Sequence, residues 1–222
     1  MVKLLVGIYN AIKMRIINPR FDFDEQFQRE RAEYLQDMDF CDWFRYWFIV
    51  REIIGSQSSV VLDVGAGCGI VKNCLQPIVE RYVTMDVSSA LAPDILADVR
   101  EFRPELKGSF DYIIIAEVLE HIPFAEVERV CGNLFAYLVP SGKILVTIPH
   151  QRYSFLFVIP TIEPYILTIP RRKTPIDSYH CWEIGDGEIK KGHIESIFKS
   201  VGFKIERYEK LLYVDFWTLV KH

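Results

Sequence analysis

The sequence predicts an α/β protein with a doubly wound, mostly parallel sheet, an antiparallel last strand and additional N-terminal helices. Short buried-strand patterns alternate with helical patterns from residue 60 onward, which is typical of parallel strands joined by crossover helices. The first strand runs into a glycine-rich turn at 65–69, a device that brings the backbone close to a ligand. The last two strand patterns are joined too tightly for a helical crossover, so they should pair antiparallel, with one inserted into the sheet.

Residues 1–55 are predicted to form a helical cap. Apolar residues recur at helical spacing in its first segment: Leu5, Ile8, Ile12 and Ile16. A second helix carries a stripe of mostly aromatic side chains: Phe40, Trp43, Phe44, Trp47 and Val50. We expect this stripe to pack on the rest of the protein; a cap over a ligand or a contact with a membrane surface is the alternative. A polar joint at 55–59 leads into the second unit, residues 56–222.

The second unit contains the predicted sheet and its helices. Seven strands are expected, at 60–64, 81–86, 94–99, 111–118, 143–149, 204–210 and 212–220. Helices are expected at 69–80, 124–142 and 192–203. Gly202 should end the last helix, because glycine adopts the left-handed conformation that closes a helix without steric cost.

The segment 151–191 is too long for an ordinary connection and is predicted to be a lid or acceptor-binding insert. Its apolar stretch at 155–169 is too short to span a bilayer as a helix, and prolines interrupt it. We expect the insert and the helix at 40–50 to wall an acceptor pocket. His180, Trp182 and Glu183 would supply a base, a stacking face and an acid there.

Composition excludes several classes of protein. The chain has 222 residues, half of them hydrophobic and a quarter charged, which suits a packed globular protein. A net charge of −4 argues against a general affinity for nucleic acid. No signal peptide or transmembrane segment is predicted. Five scattered cysteines favour free thiols in a reducing cytoplasm over a disulfide framework: Cys41, Cys68, Cys74, Cys131 and Cys181.

The glycine turn distinguishes between two nucleotide-like ligands. Its glycines alternate at Gly65, Gly67 and Gly69, whereas a dinucleotide-binding fingerprint would place the third glycine where this chain has Ile70. This spacing disfavours an NAD-linked oxidoreductase. The stretch LDVGAGCG instead resembles motif I of the class I S-adenosylmethionine-dependent methyltransferases. Five further segments resemble later segments of that family in the expected order: VTMDVS, LADVREF, FDYIIIAEVLEHI, LVPSGKILVTIPH and IFKSVGFKIE.

The resemblance implies a Rossmann-like seven-stranded fold with S-adenosylmethionine as cofactor. Asp63 and the glycine turn would hold the methionine end, Asp86 the ribose hydroxyls, and Asp98 with the Val99 N–H the adenine. One departure is Ser141, which replaces the first glycine of the family's usual proline–glycine–glycine turn. The predicted cofactor-binding positions are Asp63, Gly65, Ala66, Gly67, Gly69, Asp86, Val87, Asp98, Val99 and Glu117.

The predicted activity is methylation of a small molecule, with oxygen as the favoured acceptor atom. The apolar insert and the aromatic helix favour a hydrophobic or lipid-linked acceptor and a peripheral contact with a membrane. Methylation at nitrogen and a catalytically silent cofactor-binding scaffold are the alternatives, and an NAD-linked oxidoreductase is a more distant one. A histidine can accept the proton that the acceptor loses. The candidate bases are His121 and His150, after the fourth and fifth strands, and His180 in the insert.

No metal site is predicted, although one cluster keeps the alternative open. Glu117, Glu120 and His121 resemble the acidic–histidine cluster that some quinone-precursor O-methyltransferases use for magnesium. A hard cation prefers oxygen ligands to imidazole, and the same sequence motif occurs in family members that bind no metal.

Overall fold

The computed structural model describes residues 35–36, 38–157, 165–170, 176, 179–187 and 189–222. The first predicted helix, with Leu5 to Ile16, lies outside the described residues. The helices are α1 (Phe40–Ser56), α2 (Ile70–Leu75), α3 (Val127–Tyr137) and α4 (Lys191–Val201). The strands are β1 (Val60–Val64), β2 (Arg81–Asp86), β3 (Ile95–Leu96), β4 (Phe110–Ala116), β5 (Leu138–Pro149), β6 (Arg152–Phe157), β7 (Tyr165–Pro170), β8 (Phe203–Leu211) and β9 (Val214–Lys221).

Seven strands form the main sheet in the order β3-β2-β1-β4-β5-β9-β8. β9 runs antiparallel to both of its neighbours, and the pairs from β3 to β5 are parallel. The predicted seven-stranded sheet, with its antiparallel last strand inserted, is therefore confirmed. From β1 the chain builds the sheet towards β3, and from β4 it builds in the other direction, so the winding reverses between β1 and β4.

Both faces of the sheet are covered by packed side chains. Leu62 and Val64 of β1 point into one hydrophobic cluster, with α3, α4 and the side chain of Trp217. Val61 points into the other cluster, with α1 and α2. Burial on both faces explains why β1 and β4 have near-continuous apolar sequences rather than an alternating pattern.

The face by which α1 packs differs from the predicted one. Asp39 caps the helix by accepting the N–H of Asp42, whose carboxylate accepts the Asp39 N–H in return. The side chains of Arg45, Ile49 and Ile53 are buried, whereas Phe40, Trp43 and Trp47 are 61%, 50% and 47% exposed. The prediction that the stripe packs on the rest of the protein is therefore wrong for Phe40, Trp43 and Trp47, whereas Val50 of the same stripe packs against the cluster. Both stripes obey the helical repeat, and the aliphatic surface of β1 and β4 accepts the smaller isoleucines.

Element ends depart from the prediction where chain geometry intervenes. α2 ends at Leu75 instead of residue 80, since Pro77 has no N–H to continue the helix. α3 ends at Tyr137, and β5 begins at Leu138, five residues earlier than expected. β3 is reduced to two residues. Gly202, with a φ of 110°, closes α4 as predicted.

Part of the insert forms an antiparallel hairpin of β6 and β7, which the sequence did not predict. One face of this hairpin carries six large apolar side chains that are 41% to 65% exposed: Tyr153, Phe155, Phe157, Tyr165, Leu167 and Ile169. We call these residues the hairpin face. In the described part of the chain, no helix is long and apolar enough to cross a membrane.

Alanine substitution should distinguish the two stripes of α1. Ile49→Ala removes a fully buried side chain and should lower the free energy of unfolding by about 2–5 kcal/mol. Trp47→Ala removes a larger but half-exposed side chain and should change the free energy much less. Urea unfolding of both variants measures the difference. A larger loss for Trp47→Ala would show that the aromatic stripe stabilises the helix after all.

Candidate active site

Four parallel strands reach one edge of the sheet, and predicted site residues stand where they end. β1 leads into Gly65, β2 ends at Asp86, β4 leads into Glu117, and β5 leads into His150. Because the winding reverses between β1 and β4, their carboxyl ends border a crevice in which open α/β sheets bind ligands. This edge is the candidate active site.

The glycine turn needs its glycines for two reasons. Gly65, Gly67 and Gly69 have φ values of 70°, 53° and 76°, a conformation that side chains disfavour. A Cβ atom on Gly65 would also overlap the Cγ2 atom of Val118 in the loop after β4. Ala66 lies half-buried between the first two glycines. The turn therefore passes close to the end of β4 and leaves its backbone at the crevice.

Asp63 lies below the turn, within β1. Its carboxylate is buried and accepts a hydrogen bond of 2.7 Å from the hydroxyl of Tyr82. Burial raises the pKa of Asp63 from 3.8 to about 7; the negative charge of Asp86 adds to the rise, while the Tyr82 bond and Lys72 oppose it. A nearby cation, such as the ammonium group of an amino acid, would favour the ionised form.

Asp86 connects the end of β2 to the glycine turn. Its carboxylate is buried and accepts the N–H groups of Ser88, Gly67 and Val87. Burial raises the pKa of Asp86, and these three N–H groups oppose the rise. Val87 itself is 48% exposed at the rim. A carboxylate held by the backbone in this way keeps a fixed direction and can accept further hydrogen bonds from hydroxyl groups.

Asp98 and Val99 lie beyond β3, but their neighbours were not predicted. Arg100 binds the Asp98 carboxylate through its Nε atom, at 2.8 Å, and through its backbone N–H, at 2.8 Å. These bonds hold the pKa of Asp98 below its ordinary value. The carbonyl of Val99 accepts a bond of 3.0 Å from the side chain of Asn133. A ligand group at Asp98 would share that carboxylate with Arg100.

Glu117 sits at the end of β4 in a left-handed conformation, with a φ of 55°. Its carboxylate accepts the hydroxyl of Thr147 at 2.8 Å and lies 3.5 Å from the guanidinium of Arg45 on α1. Burial raises the pKa of Glu117, and the charge of Arg45 opposes the rise. The ion pair connects the first half of α1 to the end of β4.

His150 belongs to a buried charged group. Its Nδ1 atom lies 2.8 Å from the carboxylate of Asp215, which also forms an ion pair with Arg152. Arg152 additionally donates to the carbonyls of Leu212 and Val214. Burial alone would raise the pKa of Asp215, but the bond from His150 and the charge of Arg152 outweigh it and lower that pKa. The carboxylate is therefore ionised and fixes the orientation of the imidazole.

His121 and His180 form a second group together with Glu120. Their rings meet edge to face with centroids 4.9 Å apart. The Nδ1 atom of His121 lies 3.0 Å from the carbonyl of Tyr179, and that of His180 lies 2.7 Å from the carboxylate of Glu183. One ligand atom from each member of the trio Glu120, His121 and His180 lies within 4.8 Å of the others. Two of the three predicted histidines thus lie together, and His150 has other partners.

Trp182 does not offer the stacking face that we expected. It is 2% exposed, its ring packs edge-on against Phe124, and its indole N–H donates to the carbonyl of Ile122. The next bond along the chain runs from the Cys181 N–H to the carbonyl of Glu120. Trp182 therefore anchors the insert to the loop after β4, because a large ring with a satisfied N–H is most stable in the core.

Sequence reasoning missed several members of the site. Asp215 and Arg152 orient His150, Arg45 pairs with Glu117, and Tyr82 binds Asp63. A sequence signal was present for two of these residues. Asp215 is the single acid in the apolar strand pattern at 212–220, and Arg45 is the single cation in the aromatic run at 40–48. An isolated charge in such a pattern indicates a buried partner elsewhere in the chain.

This sheet order, glycine turn and acid at the end of β2 define a class I methyltransferase fold. The sequence profile of the methyltransferase-domain family matches residues 40–208, so the chain belongs to this family, whose members use S-adenosylmethionine. A ubiquinone biosynthesis O-methyltransferase from Pseudomonas paraeruginosa is 28% identical over 138 residues, which cover 55% of this chain and 58% of the relative. The chain therefore matches less than two thirds of that relative's length.

Solved structures agree on the fold. The N-methyltransferase NodS from Bradyrhizobium japonicum, in complex with S-adenosyl-L-homocysteine, superposes with a TM-score of 0.63 over 90% of this chain and 96% of its own, at 13% identity. The [4+2]-cyclase SpnF superposes with a TM-score of 0.57 over 80% of each chain, at 14% identity. At such identities the likeness concerns the fold alone, and proteins with different named reactions share it.

Asp63→Asn should reduce the stability that the cofactor-free protein loses as the pH rises from acid to neutral. With a folded-state pKa of about 7 against 3.8, the folded protein keeps a proton that the unfolded chain loses. The free energy of unfolding therefore falls between about pH 4 and about pH 7, by on the order of 2–4 kcal/mol. Asparagine still accepts the Tyr82 hydrogen bond and never ionises. Urea unfolding at about pH 5 and about pH 8 measures the effect, and an equal gap between the two proteins at both values would contradict it.

Proposed function

We propose that the protein transfers a methyl group from S-adenosylmethionine to an oxygen atom of a small hydrophobic molecule. The observation that carries the proposal is the meeting of the glycine turn, Asp86 and the His150–Asp215 pair at one sheet edge. The turn and the acid suit a nucleoside-bearing cofactor, and the histidine suits the removal of a proton. The methyltransferase-domain family and the O-methyltransferase relatives support the same reaction.

The residues around the crevice fit the cofactor. Asp86, fixed by three backbone N–H groups, would accept both ribose hydroxyls. The backbone at Gly65 to Gly69 and the acid Asp63 would hold the methionine end, and Glu117 would lie beside it. Asp98 and the N–H of Val99 would bind the adenine. When bound, S-adenosylmethionine supplies a methyl group on a sulfonium, an electrophile with a good leaving group.

His150 is the base that we assign to the reaction. A carboxylate that accepts from Nδ1 leaves Nε2 as the proton acceptor, and the buried Asp215 stabilises the imidazolium that forms. The His150 side chain is 25% exposed, so solvent reaches it. Arg152 keeps Asp215 ionised throughout. His121 and His180 are the other candidate bases, and of the three histidines only His150 has a carboxylate partner with no exposed surface.

Exposed apolar surface supports a hydrophobic or lipid-linked acceptor. The hairpin face follows directly after His150 and Gln151, and Trp43 and Trp47 lie exposed on α1, which pairs with Glu117 at the same edge. Apolar side chains in these places suit a hydrophobic entrance to the acceptor site and a transient contact with a membrane surface. The five cysteines, all within the described residues, form no disulfide there, which supports a cytoplasmic location.

Methylation at nitrogen is the second candidate. The NodS structure, named an N-methyltransferase, superposes on most of this chain. A screen of phenols, catechols and primary amines with labelled S-adenosylmethionine distinguishes the two. Transfer to oxygen acceptors alone supports the proposal, transfer to amines alone supports the second candidate, and cofactor binding without any transfer would indicate a silent scaffold.

Asp86→Asn should weaken S-adenosylmethionine binding by about ten- to a hundred-fold, since charge-assisted hydrogen bonds contribute on the order of 1.5–3 kcal/mol. Isothermal titration measures the dissociation constant. Asp111→Asn is the matched control, because Asp111 also accepts backbone N–H groups but lies at the opposite end of the sheet. Equal affinity in the Asp86 variant and the wild type would show that this carboxylate does not bind the ribose.

His150→Gln should lower turnover of an identified acceptor by about 10²–10⁴-fold, the usual contribution of a general base. Cofactor affinity should change little, because the predicted cofactor contacts lie at the ends of β1, β2, β3 and β4, whereas His150 follows β5. Steady-state kinetics and titration of the same samples separate the two effects. His193→Gln, on the exposed part of α4, serves as the control. Normal turnover in the His150 variant would exclude it as the base.

A further inference from the structure

The Arg100 side chain occupies the carboxylate that we assign to the adenine of the cofactor. Its Nε atom lies 3.0 Å from one oxygen of Asp98 and 2.8 Å from the other, and its Nη2 atom lies 2.5 Å from the second oxygen. The Arg100 backbone N–H adds a bond of 2.8 Å to the first oxygen. An ionised carboxylate offers about four lone-pair positions. These contacts therefore leave Asp98 little capacity to accept a further hydrogen bond.

Asp98 nevertheless stands beside the acid that we assign to the ribose. β3 pairs with β2 so that Leu96 lies opposite Asp86, and the Ala97 N–H donates to the carbonyl of Asp86 at 3.0 Å. Asp98 follows Ala97 in the chain, and its side chain is 27% exposed. A nucleoside whose ribose is bound by Asp86 would therefore present its base near Asp98, where Arg100 already binds.

The backbone at this position is fixed, whereas the guanidinium has room to move. The side chain of Asn133 donates to the carbonyls of Val99 and Arg100, at 3.0 Å and 3.2 Å. The Glu101 N–H closes a turn by donating to the carbonyl of Asp98 at 3.0 Å. The Arg100 side chain is 41% exposed. A change of side-chain rotamer can therefore release the Asp98 carboxylate without any movement of the backbone.

Other acids near Arg100 offer the released guanidinium a second position. The hydrogen bond to Asp98 is the main cause that raises the pKa of Arg100, and the negative charges of Glu126 and Glu101 raise it further. A guanidinium that leaves Asp98 thus remains close to negative charge. Ion pairs with this degree of exposure contribute little net stability, so the Arg100–Asp98 pair is easily exchanged for another contact.

We propose that Arg100 sets how strongly and how selectively Asp98 binds the adenine base, an inference that rests on the proposed function. Adenine carries an amino group at C6, which can donate to the Asp98 carboxylate once the guanidinium has left. The bond from the Arg100 backbone N–H stays in place and keeps the carboxylate oriented. Cofactor binding thus exchanges one donor for another at Asp98, and the broken ion pair offsets part of the gain from the new hydrogen bond.

The same exchange determines how well the site distinguishes between bases. Hypoxanthine carries a carbonyl oxygen where adenine carries the amino group, so it has no donor for Asp98 at that position. With Arg100 present, the guanidinium neutralises Asp98 and can itself donate to that oxygen. Without Arg100, the ionised carboxylate would repel the oxygen and accept only the amino group. Removal of Arg100 should therefore raise both the affinity for an adenine nucleoside and the preference for it.

Isothermal titration with S-adenosylhomocysteine and S-inosylhomocysteine, which differ only in the base, tests the inference. In Arg100→Gln the dissociation constant for S-adenosylhomocysteine should fall by about two- to fivefold, the effect of removing an exposed ion pair that competes with the ligand. The dissociation constant for S-inosylhomocysteine should not fall, so the preference for adenine should rise. Arg103→Gln is the matched control, because Arg103 also pairs with a nearby carboxylate, that of Glu105, and carries the same charge.

Two further variants separate occupation of Asp98 from charge. Arg100→Lys keeps the positive charge but not the paired contacts of a guanidinium, so it should show part of the gain. Asp98→Asn should weaken S-adenosylhomocysteine binding, and adding Arg100→Gln to it should give no gain, since no carboxylate remains to be released. Asparagine can still accept the Arg100 backbone N–H, so the turn is preserved. Circular dichroism shows whether each variant is folded.

Unchanged affinity and unchanged base preference in Arg100→Gln would overturn the inference and leave the proposed function intact, because the cofactor product would still bind. An equal gain in Arg103→Gln would assign the effect to net charge and would also overturn it. A gain that persists alongside Asp98→Asn would show that Arg100 does not act through Asp98. Absence of S-adenosylhomocysteine binding to the wild type would overturn both proposals, so the two kinds of failure are distinguishable.

Discussion

The parallel pairing of β1 between β2 and β4 is the constraint on which the site depends. Its register sets Val61 opposite both Tyr82 and Tyr112, so the strands reach their carboxyl ends together. At the opposite end of the sheet, the Asp111 carboxylate accepts the N–H groups of Ser59 and Val60. Because the strand ends are aligned, one edge of the sheet carries the glycine turn, the acid that ends β2 and the histidine that follows β5.

The same edge concentrates the buried charges of the protein. Arg45 with Glu117, and Arg152 with Asp215, pair there with little exposure to solvent, although such pairs contribute little net stability once desolvation is counted. These ion pairs instead orient the side chains beside the crevice. Glu120 differs, since its oxygens lack a partner among the described residues, and burial raises the pKa of this acid well above its ordinary value.

Local signals account for the elements that were predicted well. A continuous apolar run indicates β1 and β4, and Gly202 indicates the end of α4, because a few adjacent residues decide these features. The hairpin of β6 and β7 was missed because the alternation in β6 is inverted: polar Arg152 is buried, whereas Tyr153 and Phe155 are exposed. The glycine turn and Asp86 were likewise predicted from the sequence, because both belong to one strand–turn–helix–strand unit.

The sequence by itself determined the order of strands and helices, the glycine turn and the acids that follow β2 and β4, because each rests on residues that are close in the chain. Only the tertiary structure decided that the isoleucine face of α1 packs, that His150 pairs with Asp215, and that His180 meets Glu120 and His121. The physical reason is separation. His150 and Asp215 are 65 positions apart, and no periodic pattern records which distant side chains a folded sheet brings into contact.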